Sequence, residues 1–134
     1  MEFSGSIAAI TGAASGIGFA LAQEAVRRGM AVAISDIRAD ALEEARAALA
    51  GMGGNVLAVR ADVTKSAEIE ALAAATVAHF GKANLLINNA GASPMGRIAE
   101  TPDAVWEKSL QLKLKKVKMP MKKWLLLLTN CRIA

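Results

Sequence analysis

The sequence is poor in sulfur and in aromatic rings: it has one cysteine, no tyrosine, two tryptophans and three phenylalanines. The single cysteine, Cys131, excludes an internal disulfide framework, which fits a reducing compartment. Without tyrosine, no phenol can act as a general acid or base. The longest apolar run near the C-terminus, residues 124–128, is far shorter than the about 20 residues of a membrane helix, and residues 1–4 lack the features of a signal peptide. We therefore expect a cytoplasmic protein.

Basic side chains are concentrated at the end of the chain. Residues 107–134 hold eight of the sixteen lysines and arginines and a single acid, Glu107. The first 106 residues hold the other eight basic side chains together with eleven acids. The 134 residues, 54% hydrophobic, suffice for one domain with a core. This shift in composition predicts a globular portion over residues 1–106 and a divergent basic tail over residues 107–134.

Short apolar segments alternate with segments of helical composition along the first 90 residues. The pattern predicts strands at residues 7–11, 31–35, 56–60 and 85–88, and helices at residues 16–28, 40–50 and 66–80. Such alternation is typical of repeated βαβ units, whose strands are parallel and covered by helices on both faces. Right-handed crossovers then favour an α/β, Rossmann-like doubly wound sheet with strand order 3-2-1-4.

A glycine-rich turn joins the first predicted strand to the first helix. Residues 11–18 read Thr-Gly-Ala-Ala-Ser-Gly-Ile-Gly, with glycines at positions 12, 16 and 18. Glycine permits a sharp turn, and the helix that follows directs its free N–H groups and its positive end at the same place. The turn therefore predicts a cradle for a pyrophosphate, although an isolated glycine turn can also be purely structural.

Polar residues end the other predicted strands. Asp36 ends the second strand, where a carboxylate could accept hydrogen bonds from ribose hydroxyls or could simply cap a turn. Asp62 and Val63 follow the third strand and could meet an adenine edge, with a plain loop aspartate as the alternative. Residues 88–91, Asn-Asn-Ala-Gly, follow the fourth strand. The carboxyl edge of an open α/β sheet is where ligands bind.

Together these motifs resemble the short-chain dehydrogenase/reductase family, whose signatures are Thr-Gly-x-x-x-Gly-x-Gly and Asn-Asn-Ala-Gly. The resemblance runs from about residue 5 to residue 106. It implies a cofactor site made of Gly12, Ser15, Gly16, Ile17, Gly18, Asp36, Asp62, Val63, Asn89, Ala90 and Gly91. It implies NAD rather than NADP, because Asp36 would repel a 2′-phosphate, although Arg38 nearby softens that preference. No metal site is expected.

The resemblance does not extend to the residues of catalysis. Members of the family transfer hydride between nicotinamide and an alcohol or ketone, using Ser, Tyr and Lys, with Tyr and Lys spaced as Tyr-x-x-x-Lys. This sequence has no tyrosine, and the position of the family's catalytic asparagine, counted from Trp106, holds Lys113. The sequence therefore predicts a truncated or frame-disrupted member that keeps the cofactor-binding half, has no catalytic residue and is inactive alone.

Two other functions remain open. The chain could be a non-catalytic dinucleotide-binding module, or its basic segment at residues 113–123 could bind nucleic acid or an anionic membrane, which we do not favour. A helix is expected from about residue 102, with a strand as the alternative around residues 110–114. Residues 124–129 could cover the edge of the fourth strand. His79 is expected to be a helix-capping or surface residue, Ser93 a loop hydroxyl rather than a nucleophile, and Cys131 a lone thiol without metal-ligand spacing. Substrate and oligomeric state stay open.

Overall fold

The fold is a four-stranded parallel sheet with helices on both faces, seen in a computed structural model that describes residues 2–92 and 100–110. The strands lie in the order β3-β2-β1-β4. The elements in chain order are β1 (Ile7–Thr11), α1 (Gly16–Arg27), β2 (Ala31–Asp36), α2 (Ala39–Gly51), β3 (Val56–Arg60), α3 (Ser66–Phe80) and β4 (Leu85–Ile87). The predicted α/β class and strand order are confirmed.

Each strand aligns its carboxyl end with that of its neighbour. In the parallel ladders Thr11 pairs with Ser35, and Asp36 pairs with Arg60. On the other side of β1, Ile10 pairs with Ile87. The loops that follow the four strands therefore emerge at one edge of the sheet, which brings the predicted site residues to the same place.

The core has two layers because side chains of a strand alternate between the two faces. Even-numbered residues of β1 and β2, such as Ile10 and Ile34, pack against α1 and α2, where Leu49 is fully buried. Odd-numbered residues such as Ala9 pack against α3 through Leu72. Small alanines on the strands let the helices approach closely.

Element boundaries differ from the predicted ones by one residue in several places. Strand β4 ends at Ile87 rather than at Asn88, because the Asn89 N–H donates to the Ile87 carbonyl and closes a turn (3.0 Å). Residues 103–110 are helical, which confirms the helix expected there and places residue 110 in it. The remaining predictions for the tail fall on residues 111–134 and lie outside the described residues.

Candidate functional site

A cleft of about 460 Å³ lies at the carboxyl edge of the sheet. It is bordered by residues that follow all four strands: Gly12, Ser15, Ile17, Asp36, Ile37, Arg38, Ala61, Asp62, Val63, Asn89, Ala90 and Gly91. Nine of the eleven predicted site residues are among them. The other two, Gly16 and Gly18, belong to the first turn of α1 without lining the cleft.

The glycine turn is closed so tightly that side chains do not fit at two positions. Gly12 has a φ of +67°, and a Cβ added to it would lie 2.5 Å from the Ala90 Cα atom. A Cβ on Gly18 would overlap the Gly12 carbonyl oxygen and lie 2.5 Å from the Asn89 Nδ2 atom. These distances are below any real Cβ contact, so both glycines are required by the approach of the loop after β4 to the turn after β1.

The Asn89 side chain ties that loop to the glycine turn. Its Nδ2 group donates to the carbonyl oxygens of Thr11 (3.1 Å) and Gly12 (3.0 Å). The Thr11 hydroxyl in turn accepts a hydrogen bond from the backbone N–H of Ala90 (3.1 Å). Asn89 therefore borders the cleft while its amide stabilises the backbone around it.

The first turn of α1 offers backbone N–H groups to the cleft. Ser15 is the N-cap residue, and its extended backbone is not accompanied by a side-chain capping hydrogen bond. No acid stands in the first turn of this 12-residue helix. The first N–H groups of a helix have no partner within it, and the helix dipole adds positive potential there. This end of α1 therefore suits an anion, as the sequence predicts.

Asp36 is 8% exposed and holds two loops together at the edge of the cleft. Its Oδ2 atom accepts a hydrogen bond from the backbone N–H of Ala14 (3.2 Å), and its Oδ1 atom accepts one from the backbone N–H of Arg38 (3.1 Å). The carboxylate thus stabilises a turn, which was the structural alternative, and it also borders the cleft. The remaining lone pairs of a carboxylate can accept further hydrogen bonds.

Hydrogen bonds and nearby charged side chains hold Asp62 in place. The Thr64 hydroxyl (2.7 Å) and the Thr64 backbone N–H (2.9 Å) donate to Asp62 Oδ1 and hold the pKa of this carboxyl below its usual range. Glu68 Oε2 accepts the backbone N–H of Asp62 (2.7 Å), which lowers the pKa of Glu68 with help from Lys65. Arg60 also pairs with Glu68, at 3.1 Å. Both carboxyl groups are therefore ionised at neutral pH.

Three residues of the cleft were not among the predicted site residues, namely Ile37, Arg38 and Ala61. Each lies next to a predicted residue at a strand end, so the same strand-end argument applied one or two positions further would have found them. Arg38 lies across the cleft, where its NH2 group donates to the Ser15 hydroxyl (2.8 Å). The side chain of Ile37 is half exposed beside it.

His79, another candidate residue, does not join this site. His79, in the last turn of α3, packs edge-on against Phe80 with ring centroids 4.5 Å apart and does not line the cleft. Ser93, Lys113 and Cys131 lie outside the described residues. Over residues 2–92 and 100–110, no three metal-binding side chains converge, and no helix is long and apolar enough to cross a membrane.

Comparison with known proteins decides the family. The family model for short chain dehydrogenases matches residues 6–130, which is most of the chain. The chain belongs to the short-chain dehydrogenase family. This short-chain dehydrogenase is 40% identical over 113 residues to the CLA biosynthesis dehydrogenase/reductase of Lactiplantibacillus plantarum. That alignment covers 84% of the chain and 40% of the relative.

Two solved structures of the family share the fold closely. A short chain dehydrogenase/reductase from Burkholderia phymatum, in complex with NAD, matches with a TM-score of 0.91 at 33% identity, over 97% of this chain and 46% of its own. L-Sorbose reductase from Gluconobacter frateurii, complexed with NADPH and L-sorbose, matches with a TM-score of 0.88 at 29% identity, over 97% and 51%. The chain thus spans about half the length of these relatives or less.

Proposed function

We propose that this short-chain dehydrogenase chain binds the adenosine diphosphate half of a nicotinamide dinucleotide in the cleft at the carboxyl edge of its sheet. One observation carries the proposal. The glycine turn, the end of β2, the loop after β3 and the loop after β4 border a single cleft of about 460 Å³, which is within the volume range of small-molecule sites. The family as a whole binds nicotinamide dinucleotides.

The phosphates are assigned to the glycine turn and the first turn of α1. Gly12 and Gly18 let the turn pack tightly against the loop after β4, which fixes the backbone of the turn at the edge of the cleft. The open N–H groups after Ser15 would donate to the phosphate oxygens, with the helix dipole favouring the negative charge. The exposed side chain of Ile17, 75% accessible, would cover the apolar side of the bound dinucleotide.

The adenosine is assigned to the opposite half of the cleft. The free lone pairs of Asp36 would accept hydrogen bonds from ribose hydroxyls, because its carboxylate is held in place by two backbone N–H groups. The adenine would lie between Ile37 and Val63, with Asp62 at its polar edge. We propose NAD as the preferred cofactor, since the carboxylate of Asp36 repels a phosphate on the ribose.

The nicotinamide supplies or accepts hydride when it is bound, and the family uses this chemistry on alcohols and ketones. We propose that the 134-residue chain does not complete such a reaction by itself. The phenol of the family's Tyr-x-x-x-Lys motif has no counterpart in this sequence. Its role would therefore be that of a dinucleotide-binding module, in the cytoplasm, with a substrate engaged only by a longer form.

The test is isothermal titration calorimetry of the full chain with NAD and with 5′-ADP. We expect saturable binding of one ligand per chain, with both dissociation constants below about 1 mM, the weak end of ordinary enzyme affinities. Comparable affinities are expected because the adenosine diphosphate half carries the contacts. Binding weaker than about 1 mM for both ligands would contradict the proposal.

A matched pair of glycine variants links the binding to the cleft. Gly12→Ala places a methyl group against Ala90, whereas the same change at Gly53, whose φ is +85°, meets nothing within 4 Å. Both variants carry the strain of an alanine at positive φ, so they differ only in the obstruction. We expect Gly12→Ala to lose 5′-ADP binding and Gly53→Ala to keep it, with circular dichroism verifying that both are folded.

A further inference from the structure

An ion pair beside the cleft joins the two loops that are proposed to hold the adenine. Arg60, the last residue of β3, places its NH1 group 3.1 Å from Oε2 of Glu68, in the first turn of α3. The Arg60 Nε group donates to the carbonyl oxygen of Ile37, in the loop after β2 (3.3 Å). Glu68 Oε2 also accepts the backbone N–H of Asp62, in the loop after β3 (2.7 Å). The pair therefore bridges the two loops.

The two members of this pair do not line the cleft, whereas Ile37 and Asp62, to which they bond, both do. The side chain of Arg60 is 49% exposed and that of Glu68 is 25% exposed. Ion pairs at this degree of exposure contribute little to stability, because water and salt screen them. Its place between two loops that border one cleft indicates that the pair holds those loops in position.

The Asp62 carboxylate is held at both its ends. The hydroxyl and the backbone N–H of Thr64 donate to Oδ1 (2.7 and 2.9 Å), while Glu68 holds the backbone from which the side chain projects. The lone pairs of Oδ2 can then accept a hydrogen bond from a ligand in the cleft. The 6-amino group of adenine can donate such a bond. Hypoxanthine carries a carbonyl oxygen at that position, which an ionised carboxylate repels.

We propose that Arg60 and Glu68 are positioning residues that make the cleft select adenine over bases with a carbonyl oxygen in place of the 6-amino group. By fixing Ile37 relative to Asp62, the pair keeps the Asp62 carboxylate in line with the amino group of the base. Without the pair the loop after β3 can shift, and the carboxylate no longer discriminates against the oxygen. This inference rests on the proposed adenosine site.

The experiment compares two nucleotides that differ at one position of the base, 5′-ADP and inosine 5′-diphosphate. Both are titrated calorimetrically into the full chain and into its Glu68→Ala variant. We expect the unmodified chain to bind 5′-ADP at least about tenfold more tightly, since a hydrogen bond to a charged group is replaced by repulsion. Glu68→Ala should reduce this ratio of affinities to less than about threefold. Glu68→Gln keeps an acceptor for the Asp62 N–H, so its ratio should be intermediate.

Two further variants separate positioning from a general loss of structure. Arg60→Met removes the other member of the pair and should lower the ratio as well, so the test does not depend on the folding of one variant. The double variant should go no lower than Glu68→Ala, because both residues act through one bridge. Glu43→Ala is the matched control, since Glu43 pairs with Arg46 on α2 (2.6 Å) and does not line the cleft. It should leave the ratio unchanged.

The ratio of affinities distinguishes the outcomes, with circular dichroism verifying that each variant is folded. A ratio that Glu68→Ala and Arg60→Met leave unchanged, including equal weakening of both nucleotides, would overturn the proposal and make the pair purely structural. Equal binding of the two nucleotides by the unmodified chain would overturn it as well. If the unmodified chain binds neither nucleotide, the proposed function itself fails, which is a different result from an unchanged ratio.

Discussion

Replacement of Gly18 by alanine tests the packing on which the cleft depends. The added methyl group would overlap the Gly12 carbonyl oxygen, a backbone atom that cannot rotate away, and would lie 2.5 Å from Asn89 Nδ2. The Asn89 amide would have to leave the position from which it donates to Thr11 and Gly12. The glycine turn and the loop after β4 would then separate.

The cost follows from these two effects. Overpacking a closed site costs about 1–3 kcal/mol, and each lost hydrogen bond contributes about 0.5–1.5 kcal/mol. With two hydrogen bonds lost, we therefore expect Gly18→Ala to lower the free energy of unfolding by about 2–6 kcal/mol. For a domain of this size, that loss corresponds to a fall in melting temperature of roughly 10 °C or more.

Differential scanning calorimetry or thermal unfolding followed by circular dichroism measures the change. Gly51→Ala is the control, because Gly51 is the last residue of α2 and a Cβ there meets nothing within 4 Å. Alanine is the better helix former, so this variant should be as stable as the unmodified chain or slightly more stable. A melting temperature of Gly18→Ala within about 2 °C of that of Gly51→Ala would refute the described contact between turn and loop.

Three further predictions concern other contacts of the structure. Asn89→Ala removes two hydrogen bonds to backbone carbonyls and should lower the free energy of unfolding, measured in urea, by about 1–3 kcal/mol. Asn88 is exposed, so Asn88→Ala should change that free energy by no more than about 0.5 kcal/mol, and equal costs of the two variants would contradict the contacts. Thr64→Ala removes the hydroxyl that lowers the pKa of Asp62, so it should destabilise the chain at pH 7. The difference in unfolding free energy between the variant and the unmodified chain should shrink as the pH falls below about 4, where the Asp62 carboxyl becomes protonated. A difference that grows in acid would refute this. Leu49→Ala opens a cavity in the core between the sheet and α2 and should cost about 2–5 kcal/mol, and a cost below 1 kcal/mol would contradict its full burial.

Local patterns were enough to predict the fold. The apolar segments, the helix formers between them and the glycines that end the helices predict each element within one or two residues of its observed bounds. The strand order then follows from the handedness of crossovers, which leaves few arrangements for four parallel strands. The same logic brings Asp36, Asp62 and Asn89 together, since the ends of parallel strands share an edge.

The side-chain contacts within the site could not be predicted in this way. Glu68 accepts the backbone N–H of Asp62 only because the loop after β3 folds back over the first turn of α3. Arg38 reaches Ser15 because the loops after β1 and β2 lie side by side, 23 positions apart in sequence. Such contacts depend on distances between loops, which periodicity and composition do not encode. Strand-end position alone would have added Ile37 and Ala61 to the site.

The central claim is that adenosine diphosphate binds at the carboxyl edge of the sheet. Amide chemical-shift mapping of the ¹⁵N-labelled full chain, titrated with 5′-ADP, tests it most directly. The account predicts saturable shifts at the backbone of residues 12–18, 36–38, 62–63 and 89–91, the glycine turn and strand-end loops that supply the lining of the cleft, and none at residues 53–55, which lie in a second depression lined by Gly29 and Phe80. Shifts confined to residues 53–55, or no saturable shift at residues 12–18, would contradict it.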